Sequence, residues 1–276
     1  MRNIWAASRD VISFFWGGES GIWPGGPNDH IQSHERDPPS IGSTSRRGWT
    51  FADILLHSSI VSERGETRLF LVRHGETVWN QQRRIQGHLD SPLTDNGRRQ
   101  AEAIAGHVRR LKPAVILSSD LGRCMETASI IGAALSMKVT PVRAFREKSG
   151  GIFEGYTWPE IEGRFPVEHK RYVASRSNYR QPGAESWEET KNRVFSGLDT
   201  AVRDHRGKRI VVVTHGGTLH ALIRSVLGIP DGSPSRFEFR NGALHTIVHK
   251  DAEYLVETLG DMSHIEGESL GDVESK

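Results

Sequence analysis

The sequence has little that would suit a secreted, membrane-spanning or nucleic-acid-binding protein. Its single cysteine, Cys124, excludes an intramolecular disulfide and a multi-cysteine metal site, so we expect a reducing, cytoplasmic location. The segment Val11 to Trp16 is too short to cross a bilayer and precedes no clear cleavage site, so we expect no signal peptide and no membrane contact. The 36 Lys and Arg nearly balance the 34 Asp and Glu, and this balance does not favour nucleic acid as a partner.

Two common hydrolase signatures are also missing. The chain has 13 histidines but no HExxH or HxxEH pattern, and the spacing of His215 and His220 puts them on different faces of a helix. No GxSxG elbow occurs, because GESG at Gly18 lacks the required spacing. The sequence therefore predicts neither a zinc hydrolase nor a Ser-His-Asp hydrolase, and we expect no metal and no cofactor.

Composition divides the chain into three parts. Residues 1–65 have little periodicity and contain runs such as DPPSIGSTSRRG, which are typical of a flexible extension. A regular domain is predicted over residues 66–265, followed by a tail at 266–276. Because four of the seven tryptophans (Trp5, Trp16, Trp23 and Trp49) lie in the extension, a docking or oligomerising arm, and with it a homodimer, remains an alternative.

Apolar runs alternate with amphipathic ones in the regular domain. The run RIVVVT, Arg209 to Thr214, is β-branched through its middle and gives the strongest strand prediction. Such alternation predicts an α/β fold, a doubly wound and mostly parallel sheet with helices on both faces. The other predicted strands are Arg68 to Val72 and Ala114 to Leu117, and the predicted helices are Thr94 to about Pro113, Leu121 to Leu135, Glu185 to Arg203 and Gly217 to Leu227.

Basic side chains follow the predicted strands at their carboxyl ends, where ligands bind in such folds. Arg73 and His74 come directly after one strand, and His215 follows another, before Gly216, Gly217 and a helix start. Helix N-termini favour anions because they combine free N–H groups with a positive dipole end. Arg123 follows a third strand, so we expect a phosphate or carboxylate site.

Four motifs in order resemble the histidine phosphatase superfamily, which includes the phosphoglycerate mutases. They are LVRHGET, SSDLGRCMETA, FREKSGGIFEG and VTHGGTLHALI, within roughly Thr67 to His264. The resemblance implies that His74 is the phosphorylated nucleophile, that Arg73, Arg123 and His215 hold the phosphoryl group, and that Glu147 donates a proton. It further implies that Asn80, Gln86, Gly87 and the Gly216 backbone line the phosphate pocket.

The residue types suit this chemistry. Neutral imidazole is a competent nucleophile near pH 7, and neighbouring arginines should favour the neutral form. Guanidinium groups match phosphate oxygens in pairs and stabilise the charge that spreads over them in the transition state. Glu154 competes with Glu147 as the proton donor, and we expect Gly75 to leave room for the phosphate.

The expected function is hydrolysis of a small phosphorylated metabolite through a phosphohistidine on His74. Mutases of the family typically carry a longer insertion between the glutamate and the second histidine. Here the interval from Glu147 to His215 holds one predicted short helix, PEIEGRFP, and a basic stretch, HKRYVASRSNYR, which favours a phosphatase. A phosphoglycerate mutase and a catalytically weak phosphate-binding interaction module remain the alternatives.

Overall fold

A computed structural model describes residues 65–175, 179–230, 233–234 and 236–265. The predictions for residues 1–64 and for the tail at 266–276 lie outside the described residues. Within them, no helix combines the length and the apolar character that crossing a membrane requires.

A six-stranded sheet has the order β3-β2-β4-β1-β5-β6. Strands β1, β2, β3 and β4 pair in parallel, whereas β5 runs antiparallel to both β1 and β6. This mixed, mostly parallel sheet confirms the predicted fold class. The strands are β1 (Thr67–Arg73), β2 (Val115–Ser118), β3 (Val139–Pro141), β4 (Arg209–Thr214), β5 (Leu244–Lys250) and β6 (Glu253–Asp261).

The hydrophobic core lies on both faces of the sheet, because successive strand residues point to opposite sides. Leu69 and Ile210 pack on one face with apolar residues of the helices Trp187–Asp204 and Gly216–Val226. Phe70 and Val211 pack on the other face. Both faces of the central strands are buried, which explains why RIVVVT reads as a continuous apolar run rather than an alternating one.

Helices follow the strands and begin at identifiable caps. Thr94 accepts from the Gly97 N–H at 2.9 Å, and Ser186 forms a capping box with Glu189, which satisfies first-turn donors. The helices are α1 (Val78–Gln81), α2 (Asp95–Leu111), α3 (Gly122–Leu135), α4 (Trp158–Arg164), α5 (Pro166–Ser175), α6 (Trp187–Asp204) and α7 (Gly216–Val226).

The structure contains elements that the sequence did not predict, among them α1, β3, α5, β5 and β6. The basic stretch after PEIEGRFP is helical over Pro166–Ser175, so the described residues between Glu147 and α6 form two α-helices where one was predicted. None of the residues of α5 is fully buried, and its sequence therefore lacks the apolar periodicity that would have predicted it. The antiparallel strand β6 was not predicted, since it alternates half-buried and exposed residues without a β-branched run. The strand β5 was also missed, although its β-branched run from Thr246 to Val248 indicates a strand.

Candidate active site

The ends of β1 and β4 bring the two predicted histidines together. Arg73 pairs in register with Thr214 across these parallel strands, so His74 and His215 leave the sheet at the same level. Their ring centroids are 5.3 Å apart with the planes at 64°. Both side chains are buried. The predicted pair therefore lies side by side at the carboxyl edge of the sheet.

The imidazole of His74 is held in one orientation by backbone groups. Its Nδ1 lies 2.8 Å from the carbonyl oxygen of Gly75, so in the neutral ring Nδ1 carries the proton and Nε2 keeps its lone pair. Burial, followed by the charges of Arg123 and Arg73, holds the pKa of His74 well below its usual range. The ring is therefore neutral near pH 7, with Nε2 available as a nucleophile.

Gly75 is required by a neighbouring helix. A Cβ at this position would meet the backbone carbonyl oxygen of Gly97 in the first turn of α2. The Gly75 N–H donates to Thr127 Oγ1 at 3.1 Å. The structure thus gives a packing reason for Gly75, the close approach of α2 to the loop after β1, and the expectation that Gly75 also makes room for the phosphate stays a prediction.

Two arginines are fixed beside His74 by backbone carbonyls. Arg73 is 4% exposed, and its Nη1 donates to the carbonyl oxygen of Phe239. Arg123 donates to the carbonyl oxygens of Leu89 and Gly87, each at 2.8 Å. Asp90 accepts from Arg123 Nη1 at 2.9 Å. The Nε–H of Arg123 is buried and has no partner among the described residues, so it remains a donor for an anion.

His215 is the N-cap residue of α7 and lies in a polar pocket. Its Nε2 is 2.7 Å from Ser119 Oγ and 3.3 Å from Cys124 Sγ. Burial, then the charges of Arg123, His74 and Arg73, hold the pKa of His215 well below its usual range. Burial also raises the pKa of the Cys124 thiol, so Cys124 is a packed residue rather than an activated thiol.

Glu147 lies at the start of α7, with its carboxylate on backbone donors. Oε2 accepts from the Gly217 N–H at 3.1 Å, and Oε1 accepts from the Lys148 N–H at 2.7 Å. The Glu147 carbonyl accepts from His88 Nε2 at 2.8 Å. The side chain is partly exposed, so its carboxyl group can exchange a proton with solvent, as a proton carrier requires.

The competing acid, Glu154, holds two loops together. Its Oε1 accepts from the His88 N–H at 3.0 Å, the Gly150 N–H at 2.8 Å and Ser149 Oγ at 3.1 Å. Gly87 adopts a φ of +51°, and a Cβ there would meet this carboxylate. Three donors to one oxygen hold the Glu154 carboxylate in place, which indicates a positioning role.

The four predicted pocket residues have different surroundings. Asn80 is buried, and its Oδ1 accepts from the Thr77 N–H at 3.0 Å in the capping box of α1. Gln86 is buried with an Oε1 that has no partner among the described residues; an acceptor of this kind suits a substrate hydroxyl better than a phosphate oxygen. Gly87 supplies its carbonyl to Arg123. Gly216 is the first residue of α7 and offers its N–H group.

Several residues that contact the site were not predicted from the sequence. Asn241 Nδ2 donates to the His74 carbonyl at 3.0 Å, and Arg193 contacts the Glu147 carbonyl at 3.3 Å. The Asn-Gly pair at 241–242 reads only as a turn, and Arg193 reads as one polar residue on an amphipathic helix. Ser119 and Asp90 do lie within or near the motifs, but their partners were not evident from spacing.

The arrangement can bind and stabilise a phosphoryl group. A nucleophilic imidazole, two fixed guanidinium groups and a helix N-terminus converge at one sheet edge, with a carboxyl group nearby. Fixed cations are effective where charge spreads over phosphoryl oxygens, because they need no reorganisation during the reaction.

Comparison with known proteins agrees with this geometry. Residues 69–262 match the family model described as histidine phosphatase superfamily (branch 1). A protein of Salmonella paratyphi C named probable phosphoglycerate mutase GpmB is 35% identical, over 75% of this chain and 99% of the relative.

Solved structures of similar proteins share the fold. Bacillus stearothermophilus YhfR is 31% identical with a TM-score of 0.67, and the match covers 72% of this chain and 100% of YhfR. A mycobacterial glucosyl-3-phosphoglycerate phosphatase is 27% identical with a TM-score of 0.63, covering 70% of this chain and 98% of that one. The motifs, the sheet and these matches together establish that the chain belongs to the histidine phosphatase superfamily, branch 1.

Proposed function

We propose that the protein hydrolyses a small phosphorylated metabolite by way of a phosphohistidine on His74, without a metal. The observation that carries the proposal is the hydrogen bond of 2.8 Å between His74 Nδ1 and the Gly75 carbonyl. This bond leaves Nε2 as the reacting nitrogen, in a ring that the surrounding burial and positive charge keep neutral.

In the first step, Nε2 of His74 attacks phosphorus and the bond from phosphorus to the ester oxygen breaks. The phosphoryl oxygens lie against Arg73 and Arg123, whose positions are set by backbone carbonyls. Because these donors are already fixed, the charge of the transition state is stabilised without moving side chains. His215, whose ring is hydrogen-bonded to Ser119, also contacts the phosphoryl group.

Glu147 supplies the proton that the departing oxygen needs. In the second step, water attacks the phosphohistidine, Glu147 takes a proton from that water, and inorganic phosphate leaves with His74 restored. We assign the acid role to Glu147 rather than Glu154, because Glu154 Oε1 is occupied by three donors. General acid catalysis of this kind contributes typically about 100- to 10,000-fold in rate.

A phosphoglycerate mutase is the second candidate, and one observation favours it. The curated relative from Salmonella, 35% identical, carries that name. Against it stands the segment between Glu147 and α6, whose described residues form a single 3-10 turn at Gly151–Phe153 and the short helices α4 and α5. Named phosphatases among the structural relatives, such as the mycobacterial one at 27% identity, support hydrolysis.

The discriminating experiment is a panel of phosphoesters assayed with a chelator present. Nitrophenyl phosphate, phosphoglycerates, sugar phosphates and nucleotides are offered to the full chain, and released phosphate is measured. The proposal predicts steady release of phosphate that is lost in His74→Ala. Transfer between the positions of phosphoglycerate without phosphate release would assign the mutase. Tight phosphate binding with no turnover on any ester would assign the binding module.

The leaving group tests Glu147 separately. Glu147→Gln keeps the shape and removes the acidic proton, so phosphorylation of His74 by an alkyl phosphate should slow by about 100- to 10,000-fold. A nitrophenolate leaves readily without a proton and should be affected much less. The rate to compare is that of phosphoenzyme formation, because hydrolysis of phosphohistidine also uses Glu147. Equal losses on both esters would assign Glu147 to binding.

A further inference from the structure

A second cluster of ligating side chains lies outside the active site. It consists of His107 on α2, Asp261 at the end of β6 and His264 just beyond it. One ligand atom from each of the three lies within 4.8 Å of the others. The rings of His107 and His264 have centroids 5.1 Å apart. Two imidazoles and one carboxylate form a donor set that binds borderline transition-metal ions.

His264 has the geometry of a metal-binding histidine. Its Nε2 lies 2.9 Å from the carbonyl oxygen of Gly242, so Nε2–H donates and fixes the ring. Its Nδ1 is buried and has no hydrogen-bond partner among the described residues. Metal-ligating histidines usually donate their second ring N–H to a carbonyl or carboxylate in this way. A buried nitrogen lone pair without a donor is a cost that a bound cation would remove.

The separation of His107 and Asp261 also fits a bridging ion. His107 Nε2 lies 3.6 Å from Asp261 Oδ2, which is too long for a hydrogen bond. Two ligand atoms that each bind a tetrahedral zinc at about 2.1 Å are separated by about 3.4 Å. Asp261 Oδ1 accepts from the Ser263 N–H at 2.9 Å, which orients the carboxylate and leaves Oδ2 toward His107.

We infer that His107, Asp261 and His264 form a site for a divalent ion of the zinc class, separate from the phosphate pocket. Three protein ligands leave the remaining position to water. His107 and Asp261 line a surface cleft, which gives the ion a path of entry. The site joins α2 to the chain after β6, so the ion would stabilise the packing of that helix on the edge of the sheet.

Arg110 is the basic residue in direct contact with the proposed ligands, and it opposes the ion; Arg68 and Arg209 also line the cleft. Its Nη2 lies 2.9 Å from His107 Nδ1, and that contact must open so that Nδ1 can carry the proton while Nε2 binds the metal. Arg110 is exposed, so its displacement into solvent costs little. Removing Arg110 eliminates both the competing donor and a repelling charge, and it should tighten binding of the ion.

The test measures Zn²⁺ binding to the full chain by calorimetry and by thermal unfolding. Zn²⁺ at about 100 times its Kd should raise the Tm by about 5 to 10 °C. His264→Gln should weaken the binding by more than about 100-fold, since even loss of a residue that only orients a ligand costs about 10- to 100-fold. The matched control is His205→Gln at the end of α6, which removes a histidine elsewhere and should bind Zn²⁺ as the wild type does.

Arg110→Gln provides a gain-of-affinity variant that does not depend on the folding of the histidine variants. We expect its Kd for Zn²⁺ to fall below the wild-type value. X-ray absorption of the Zn²⁺-loaded chain should show nitrogen and oxygen ligands and no sulfur. The inference is overturned if Zn²⁺ does not raise the Tm of the wild type, or if His264→Gln binds Zn²⁺ as tightly as the His205→Gln control. It is also overturned if Arg110→Gln binds Zn²⁺ no more tightly than the wild type.

Discussion

Replacement of Arg193 by glutamine should separate the positioning of Glu147 from the rest of the site. The guanidinium of Arg193 donates to the carbonyl oxygens of Ala144 and Arg146, each at 2.9 Å, and to that of Glu147 at 3.3 Å. It also pairs with Glu185, at 2.8 Å from Nε and 2.6 Å from Nη2. One side chain on α6 therefore holds the backbone that carries Glu147.

The magnitude follows from these contacts. A hydrogen bond to a charged group contributes about 1.5 to 3 kcal/mol, and the contacts of one guanidinium do not add fully. The Arg193 and Glu185 side chains are 22% and 21% exposed, so solvent screens them only in part. We expect Arg193→Gln to lower the free energy of unfolding by about 2 to 4 kcal/mol and the Tm by about 5 to 15 °C.

The kinetic effect should depend on the leaving group. With Glu147 less well placed, phosphorylation by an alkyl phosphate should slow by about 10- to 100-fold, or about 1.4 to 2.7 kcal/mol. The nitrophenyl ester should slow far less. Rapid-quench measurements at a temperature well below the Tm of the variant give the ratio of the phosphorylation rates for the two esters. Arg193→Lys should restore part of the wild-type ratio. The matched control is Arg98→Gln, at an exposed pair with Glu126. Equal losses on both esters would refute the reasoning.

Three further outcomes test the site and its packing. Because the fold lowers the pKa of both His74 and His215, the unfolded chain binds more protons than the folded chain as the pH falls. Urea melts should show the free energy of unfolding falling by about 2 kcal/mol from pH 6.5 to 5.5, and a flat profile would contradict the burial of two neutral rings. Gly75→Ala places a Cβ against a backbone oxygen of α2 and should lower the free energy of unfolding by about 1 to 3 kcal/mol. Its control is Gly106→Ala on α2, where a Cβ enters open space and should raise the free energy of unfolding by up to about 1 kcal/mol. Glu154→Gln should keep the wild-type ratio of alkyl to nitrophenyl phosphorylation rates, and a selective loss on the alkyl ester would move the acid role to Glu154.

The sheet and the strand-end residues could be predicted because their signals are local. RIVVVT is β-branched, and its observed bounds, Arg209–Thr214, coincide with the prediction. Helix α3 starts one residue after the predicted Leu121, which is its N-cap. Once parallel strands are predicted, their carboxyl ends must share an edge, so His74 and His215 are expected at the same edge of the sheet. The pairing of β1 with β4, which places the two rings side by side, became evident only from the structure.

The supports of the site could not be predicted, because they depend on contacts between distant segments. Asp90 and its partner Arg123 are 33 residues apart in the sequence, and Asn241 is 167 residues from His74, whose carbonyl it contacts. Nothing in the local sequence of either residue indicates its partner. The choice between Glu147 and Glu154 has the same origin, since only the donors around Glu154 Oε1 assign it a positioning role. Gly75 lies within a recognisable motif, but the packing reason for a glycine there, the approach of α2, became evident only from the structure.

The central claim is that the phosphoryl group passes through His74, and trapping that intermediate tests it most directly. The full chain is mixed with a phosphoester labelled on phosphorus, quenched in alkali within a turnover, digested and mapped by mass spectrometry. A phosphoramidate survives alkali and breaks in acid, the reverse of a phosphoserine. The account predicts acid-labile label on the peptide that contains His74 and none in His74→Ala. Label that persists in His74→Ala, or that maps to His215 or another residue, would contradict it.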